Sequence, residues 1–248
     1  MKLLQAKNDQ AVGELAAQRF IEVIEKKKNA VLGLATGTSP LSTYVTLVGA
    51  YRAGKVSLKE VRTLNLDEYI GLDENDEHSY HRFMRETFFD PTDIRLENTH
   101  IPCGTGDPDA AFKEYDALLD RYPIDLQLLG VGGNGHLGFN EPGTPLTQRT
   151  HIVDLTEKTR HDNARLFPSL AEVPKQAITM GMYDILRAKE LLLVVMGENK
   201  AEAVAKMLRD PITEACPATA LRKHPNVTVI ADPASLKLLT KEELEALK

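Results

Sequence analysis

The chain has 248 residues, of which 42% are hydrophobic and 27% charged, and its formal net charge is −6 at pH 7. These values are typical of a globular protein and exclude a largely disordered chain, and no stretch approaches the roughly 18 apolar residues of a membrane helix. The negative charge argues against nucleic-acid and anionic-membrane partners but leaves room for a local basic pocket. The apolar run in the first ten residues, MKLLQAKNDQ, is too short for the hydrophobic region of a secretory signal, so we expect a cytoplasmic protein.

The chain has only two cysteines, Cys103 and Cys216, which lie far apart. Neither belongs to a CxxC pair or to a Cys/His cluster with metal-ligand spacing. We therefore expect no disulfide framework and no metal site, with both thiols buried as small hydrophobic groups.

Apolar runs rich in β-branched residues alternate with stretches of helical periodicity, which is typical of a parallel sheet covered by helices. In chain order we expect a helix capped by Asn8, strand 30–35, a helix from Pro40, strand 62–67, helix 79–89, a helix capped by Asp107 and ending near 121, strand 124–131, strand 151–155, a helix through Arg165, strand 177–180 with a helix after it, strand 190–196, helix 200–208, strand 227–231 and a capped helix over 240–248.

The chain shows no internal repeat, low-complexity linker or helix-turn-helix. The pattern therefore predicts one domain over residues 1–248, with an α/β, Rossmann-like fold: an open, mainly parallel sheet covered by helices on both faces. Ligands of such sheets bind beyond the carboxyl ends of the strands. The candidate loops are those after Ala35, Leu66, Val131 and Met196.

After the first predicted strand comes a small, hydroxyl-rich turn, Thr36-Gly37-Thr38-Ser39, which leads into a helix at Pro40. Backbone N–H groups, hydroxyls and the helix dipole there suit a phosphate. No Gly-Lys-Ser/Thr follows, so this is not a Walker loop. The alternative is an ordinary strand-to-helix turn.

The second candidate loop places adjacent carboxylates, Asp67 and Glu68, at a strand end. Neighbouring residues on a strand point to opposite faces, so at most one of them enters a shared pocket. The alternative is that both are caps or solvated loop residues.

The third loop begins with Gly130-Val131-Gly132-Gly133-Asn134-Gly135, which matches the GxGxxG dinucleotide pattern, and Asp154 lies 24 residues after Gly130. A dinucleotide turn must open a helix, and the residues that follow cannot form one. The interrupting residues are Gly138, Pro142, Gly143 and Pro145.

We therefore expect a long irregular loop that brings His136 and Glu141 to the end of the sheet. A histidine with an acid and an amide in one glycine-rich loop resembles a base held in orientation by its neighbours. Three cations, Arg160, Arg165 and Lys200, are candidate partners for a bound anion, although each alone is typical of a surface charge.

Six segments together resemble the glucosamine-6-phosphate deaminase family, in that family's order, from about Gly33 to Asp232: LATGTSP, NLDEY, GVGGNGHLGFNEPG, TR-x4-R ending at Arg165, AITMG and MGENKA. The related 6-phosphogluconolactonases share the fold but lack the Phe139–Pro142 continuation. The resemblance implies conversion of glucosamine 6-phosphate and water to fructose 6-phosphate and ammonia, without a metal or an organic cofactor.

The resemblance also implies roles for individual residues. His136 would open the sugar ring, with Asn134 and Glu141 orienting it, and Asp67 would move a proton from C2 to C1. The substrate phosphate would be bound by Thr36, Gly37, Thr38, Arg165 and Lys200.

Two departures from the family pattern carry expectations of their own. Many members have Asp at the position of Asn134, so a neutral hydrogen bond to His136 is expected in place of a charged pairing. Allosteric members have basic residues at the positions of His151 and Val153, so we expect no second phosphate site and a monomer. The rival hypotheses are a lactonase and a sugar-phosphate-sensing effector domain that has lost the chemistry.

Overall fold

The structure, a computed structural model, describes residues 1–247. The strands within this part of the chain are β1 (Lys2–Gln5), β2 (Val31–Leu34), β3 (Arg62–Asn65), β4 (Asp67–Tyr69), β5 (Thr99–His100), β6 (Leu126–Leu129), β7 (His151–Asp154), β8 (Gln176–Thr179), β9 (Leu191–Val195) and β10 (Val227–Ala231). The α-helices are α1 (Asp9–Lys26), α2 (Leu41–Arg52), α3 (Tyr80–Met84), α4 (Pro108–Arg121), α5 (Glu157–Asn163), α6 (Met182–Leu186), α7 (Ala201–Arg209) and α8 (Lys241–Ala246).

Seven strands form the main sheet in the order β1-β10-β9-β6-β2-β3-β5, and every neighbouring pair is parallel. Strand β9 shows why its sequence is continuously apolar: Leu191, Leu193 and Val195 pack into the core on one face, while Leu192 and Val194 pack into the core on the other. A strand covered on both faces has no polar side to alternate with. The predicted α/β fold is confirmed.

A second sheet was not expected. Strands β4, β8 and β7 form an antiparallel sheet in that order. The chain passes between the sheets at Leu66, whose N–H donates to the Leu34 carbonyl (3.0 Å) and whose carbonyl accepts from the Met180 N–H (2.6 Å). The single strand predicted over 62–67 is therefore two strands, and the strands predicted near 151 and 177 belong to the small sheet.

The sequence interpretation missed two short strands at the edges of the main sheet. Strand β1 pairs with β10 alone, and β5 contributes two residues beside β3. Edge strands this short carry too little apolar alternation to be recognised. The expectation that both thiols are buried was wrong for Cys103, which is exposed, and right for Cys216.

The helix ends follow local chemistry. The Asn8 side chain accepts the Ala11 N–H at 3.0 Å and caps α1, as predicted. A capping box between Thr240 and Glu243 begins α8. That helix ends at Ala246, and the predicted last residue, Lys248, lies outside the described residues. Among residues 1–247 no helix is both long and apolar enough to cross a membrane.

Candidate active site

A cavity of about 770 Å³ opens at the carboxyl ends of β10, β9, β6, β2 and β3. All four loops singled out in the sequence contribute to its lining, together with residues of α5. This is where a parallel sheet places a ligand, because the loops that leave its strands diverge there.

One wall of the cavity is the hydroxyl-rich turn Thr36, Gly37, Thr38 and Ser39. Helix α2 follows it with Pro40 at the N-cap and no side-chain cap. No side chain therefore neutralises the positive end of the helix dipole, which points toward the turn and favours binding of an anion at this wall.

Three cations, Lys158, Arg165 and Lys200, line the same cavity. Burial lowers the pKa of Lys200; Asp162 opposes this shift, whereas the positive charges of Lys158 and Arg165 add to it. Within residues 1–247 none of the three forms a salt bridge with a carboxylate. Three cations beside a single carboxylate, Asp162, leave a net positive charge, which favours binding of an anion beside the hydroxyl-rich turn.

The geometry of α5 decides which cations face the cavity. Successive residues of a helix turn by about 100°, so Lys158 and Arg160 point in nearly opposite directions. Arg160 lies outside the cavity lining and donates from its guanidinium to the carbonyls of Leu170 (2.9 Å) and Val173 (3.1 Å). Its candidacy as an anion partner was wrong: it holds the following segment in place.

The residues from Gly130 to Gly143 form an irregular loop without a helix, as predicted. The His136 imidazole lies directly on Gly132, where a Cβ atom would come within 2.2 Å of the ring. The ring therefore needs glycine beneath it.

Behind the imidazole, a carboxylate is held by several groups. The Nδ1 atom of His136 lies 3.6 Å from Oε2 of Glu141, and Oε1 of Glu141 accepts a hydrogen bond from the Thr159 hydroxyl. Burial by itself would raise the pKa of Glu141, but His136, Thr159 and Asn134 outweigh it and lower this pKa to about 2. Glu141 is thus ionised beside the imidazole at neutral pH.

Asn134 does not bond the imidazole as expected. Its Nδ2 donates to Oε2 of Glu141 at 2.7 Å, and its Oδ1 accepts the backbone N–H of His136 at 3.1 Å. The charged partner of the ring is Glu141, and Asn134 acts on the ring through that carboxylate and through the backbone. The expectation of a direct side-chain bond was wrong, because the irregular loop brings Glu141 back over Asn134.

Asp67 faces the cavity from the start of the small sheet and is only 6% exposed. Burial, with a smaller contribution from Glu68, raises the pKa of Asp67 to about 8. A Cβ atom on Gly138 would lie 3.2 Å from Oδ2 of Asp67, so the glycine-rich loop passes directly over this carboxyl group.

The neighbouring carboxylate points the other way, as the strand alternation predicts. Glu68 is fully buried and accepts backbone N–H groups from Tyr69, Tyr80 and His81, at 2.8 to 3.0 Å. It fixes the start of α3, and with it Tyr80, which lines the cavity.

Comparison with known proteins places this site in a family. The family model described as glucosamine-6-phosphate isomerases/6-phosphogluconolactonase matches residues 5–230. The chain belongs to this family. It is 46% identical to a protein of Shouchella clausii (strain KSM-K16) over 98% of this chain and 99% of that one, and 50% identical to one of Lysinibacillus sphaericus (strain C3-41) over 93% and 98%; both are named glucosamine-6-phosphate deaminase.

Solved structures agree with this membership. A structure described as a monomeric glucosamine-6-phosphate deaminase matches with a TM-score of 0.94 and 43% identity, over 96% of this chain and all of that one. A 6-phosphogluconolactonase of Thermotoga maritima matches with a TM-score of 0.75 over 93% and 99%, but at 17% identity, which shows the shared fold alone.

The segment on which the family resemblance rests has separable physical roles. Phe139 packs in the core of the small sheet, with its ring centroid 5.6 Å from that of Tyr69. Asn140 is fully buried and donates to the carbonyls of Leu137 and Met180, each at 2.8 Å. These contacts fasten the loop to the small sheet and so set Glu141 behind His136.

The predicted site residues of this family member come together, with Glu141 behind the wall rather than in it. Those that line the cavity are Thr36, Gly37, Thr38, Asp67, Asn134, His136, Arg165 and Lys200. Further lining residues were missed, among them Tyr80, Lys158, Thr159, Asp162 and Asn163. The spacing of Lys158 and Arg165 on one helical face could have indicated the first cation, whereas nothing local indicated Tyr80.

Metal binding is a separate question for this family member. Among the residues that the structure describes, no group of three or more His, Cys, Asp or Glu side chains is placed to hold a metal ion.

Proposed function

We propose that the chain is a glucosamine-6-phosphate deaminase, which converts glucosamine 6-phosphate and water to fructose 6-phosphate and ammonia. The observation that carries the proposal is one cavity lined by the buried carboxyl group of Asp67, by His136 with Glu141 behind it, and by a wall suited to an anion. The 46–50% identity to proteins of that name supports it.

In this proposal the phosphate binds between the turn Thr36–Thr38 and the cations Arg165 and Lys200. Charge-assisted bonds there anchor the end of the sugar that does not react. Anchoring that end holds C1 and C2 in a fixed position beside the reacting side chains, so the binding energy of the phosphate is used to orient the substrate.

Ring opening falls to His136. The imidazole takes the proton of the anomeric hydroxyl and supplies one to the ring oxygen, which imidazole can do near neutral pH. The anionic Glu141 stabilises the positive charge on the ring while it holds the proton.

Asp67 then carries the proton from C2 to C1. Its carboxylate removes the C2 proton while the substrate's ammonium group gives a proton to the C1 oxygen, which forms an enolamine; Asp67 then returns its proton to C1, which leaves a protonated imine at C2. The raised pKa of Asp67 matches a group that both accepts and returns a proton near pH 8. Water adds to the imine carbon, the C–N bond breaks and ammonia leaves, and no external oxidant is needed because C1 is reduced as C2 is oxidised.

The deciding experiment compares two substrates on the same purified protein. We expect stoichiometric ammonia and fructose 6-phosphate from glucosamine 6-phosphate, and no accelerated hydrolysis of 6-phosphogluconolactone. Lactone hydrolysis without ammonia release would favour the lactonase alternative, and binding of glucosamine 6-phosphate without turnover would favour the effector domain.

We also propose that the protein is a monomer in the cytoplasm and that residues 1–248 form one domain. The monomeric state described for the 43% identical structure supports the first point. The family model, which spans residues 5–230, supports the last.

A further inference from the structure

Thr159 joins two parts of the site that the reaction needs at the same time. It lies on α5, between Lys158 and the turn that carries Arg165, and its side chain is 7% exposed and lines the cavity. Its hydroxyl donates a hydrogen bond to Oε1 of Glu141 and accepts one from the Thr156 hydroxyl at 3.0 Å.

We propose that Thr159 is a positioning residue of the reaction, which holds Glu141 behind His136 from the helix that leads into the turn carrying Arg165. This inference rests on the proposed function. Thr159 takes no direct part in ring opening or proton transfer, because it acts on the imidazole only through Glu141.

The contacts of Glu141 show what the hydroxyl supplies. Oε2 accepts from Asn134 and faces His136, whereas within residues 1–247 the donor to Oε1 is Thr159 alone. Without that donor the half-buried carboxylate can rotate away from the ring, and protonation becomes easier.

The helix itself does not depend on this hydroxyl. The cap of α5 is the Thr156 side chain, which accepts the backbone N–H of Thr159 at 3.1 Å. A valine at position 159 keeps that N–H, the β-branched shape and the burial. Thr159→Val therefore removes the hydrogen bond to Glu141 and the one from the Thr156 hydroxyl, and Thr156 is exposed, so its hydroxyl can bond to water instead.

The experiment measures kcat, KM, the pH profile of kcat/KM and the binding of inorganic phosphate for the parent, Thr159→Val and Thr159→Ser. For Thr159→Val we expect kcat to fall about ten- to hundredfold, the fold-change of one charge-assisted hydrogen bond, with KM changed less than about twofold. The acid limb of kcat/KM moves to higher pH, phosphate binding is unchanged, and Thr159→Ser recovers most of the lost kcat.

Thr46→Val is the matched control, because the Thr46 hydroxyl bonds only the Ser42 carbonyl within α2. A Thr159→Val protein with parental kcat and pH profile would overturn the inference, and so would an equal loss in Thr159→Ser. A parent protein that releases no ammonia would instead overturn the proposed function, and the two failures are therefore distinct.

Discussion

Asp67 is a buried carboxyl group whose ionised form is opposed first by burial and then by Glu68. Asp67→Asn keeps the shape but cannot accept the C2 proton. We expect ammonia release to fall by about 10²- to 10⁴-fold while substrate binding is largely retained, as measured by turnover and calorimetry. Near-normal turnover would remove Asp67 from the mechanism.

The same substitution has a pH-dependent effect on stability. Because the folded-state pKa of Asp67, about 8, lies above its ordinary value of 3.8, its contribution to stability is complete below pH 3.8 and is lost as pH rises to about 8. We expect the stability gain of Asp67→Asn over the parent to be about 3–4 kcal/mol larger at pH 8 than at pH 5. Urea denaturation at both pH values measures this gain, and the exposed Asp109→Asn serves as control. A gain that stays constant or shrinks with rising pH would contradict the assigned burial effect.

The imidazole ring of His136 packs directly against the backbone of Gly132. A methyl group there would overlap the imidazole, so Gly132→Ala should turn the ring out of place and lower kcat by about 10²-fold with little change in phosphate affinity. Gly49→Ala, where a methyl group meets nothing within 4 Å, is the control and should leave kcat unchanged. Equal activity of the two variants would show that the ring adapts.

At the scale of elements, α5 and the turn after it present one face to the cavity. Arg165→Ala and Lys200→Ala should each raise KM about ten- to hundredfold, because each removes a charge-assisted bond to phosphate of about 1.5–3 kcal/mol. Lys158→Ala should raise KM less, since Lys158 is exposed.

Steady-state kinetics and competition by inorganic phosphate measure these effects on KM. The control is Lys55→Ala, an exposed lysine outside the cavity. If Arg165→Ala or Lys200→Ala bound glucosamine 6-phosphate as tightly as the parent, its phosphate role would be wrong.

The small antiparallel sheet shows which feature of the strands the sequence does not predict, namely their pairing. Apolar periodicity predicts that residues near 62–67, 151 and 177 are strands, because it reports the burial of alternate side chains. It does not report which strands pair. The break at Leu66 depends on Met180, 114 residues later in the chain, and no local pattern contains that partner.

For the whole molecule, the expectation of no second phosphate site predicts simple kinetics. Burial lowers the pKa of His151, and its backbone bond with Arg149 only partly offsets this, so the ring is neutral at pH 7. Val153 offers no side-chain donor. An effector shifts activity only through different affinity for two states of the protein.

We therefore expect hyperbolic saturation by glucosamine 6-phosphate and no response to N-acetylglucosamine 6-phosphate. Substrate titration with and without that compound tests the kinetics, and light scattering tests the monomer. A sigmoidal curve that the effector makes hyperbolic would contradict the expectation of a non-allosteric protein.

The sequence by itself determined the fold class, the four loops of the site and the irregular course of residues 130–143. Each of these follows from local chemistry: continuous apolar runs indicate strands buried on both faces, and glycine and proline at close spacing exclude a helix. The nine predicted site residues also came from the sequence, through the motifs and the family resemblance that they carry.

Only the tertiary structure decided that Asn134 and Thr159 bond Glu141, that Lys158 rather than Arg160 faces the cavity, and that Asp67 starts a second sheet. Residue type gives a side chain its chemistry, but its partner is set by how elements distant in sequence pack together. That packing fixes the orientation of α5, and the orientation decides that Lys158 lines the cavity while Arg160, two residues later, does not.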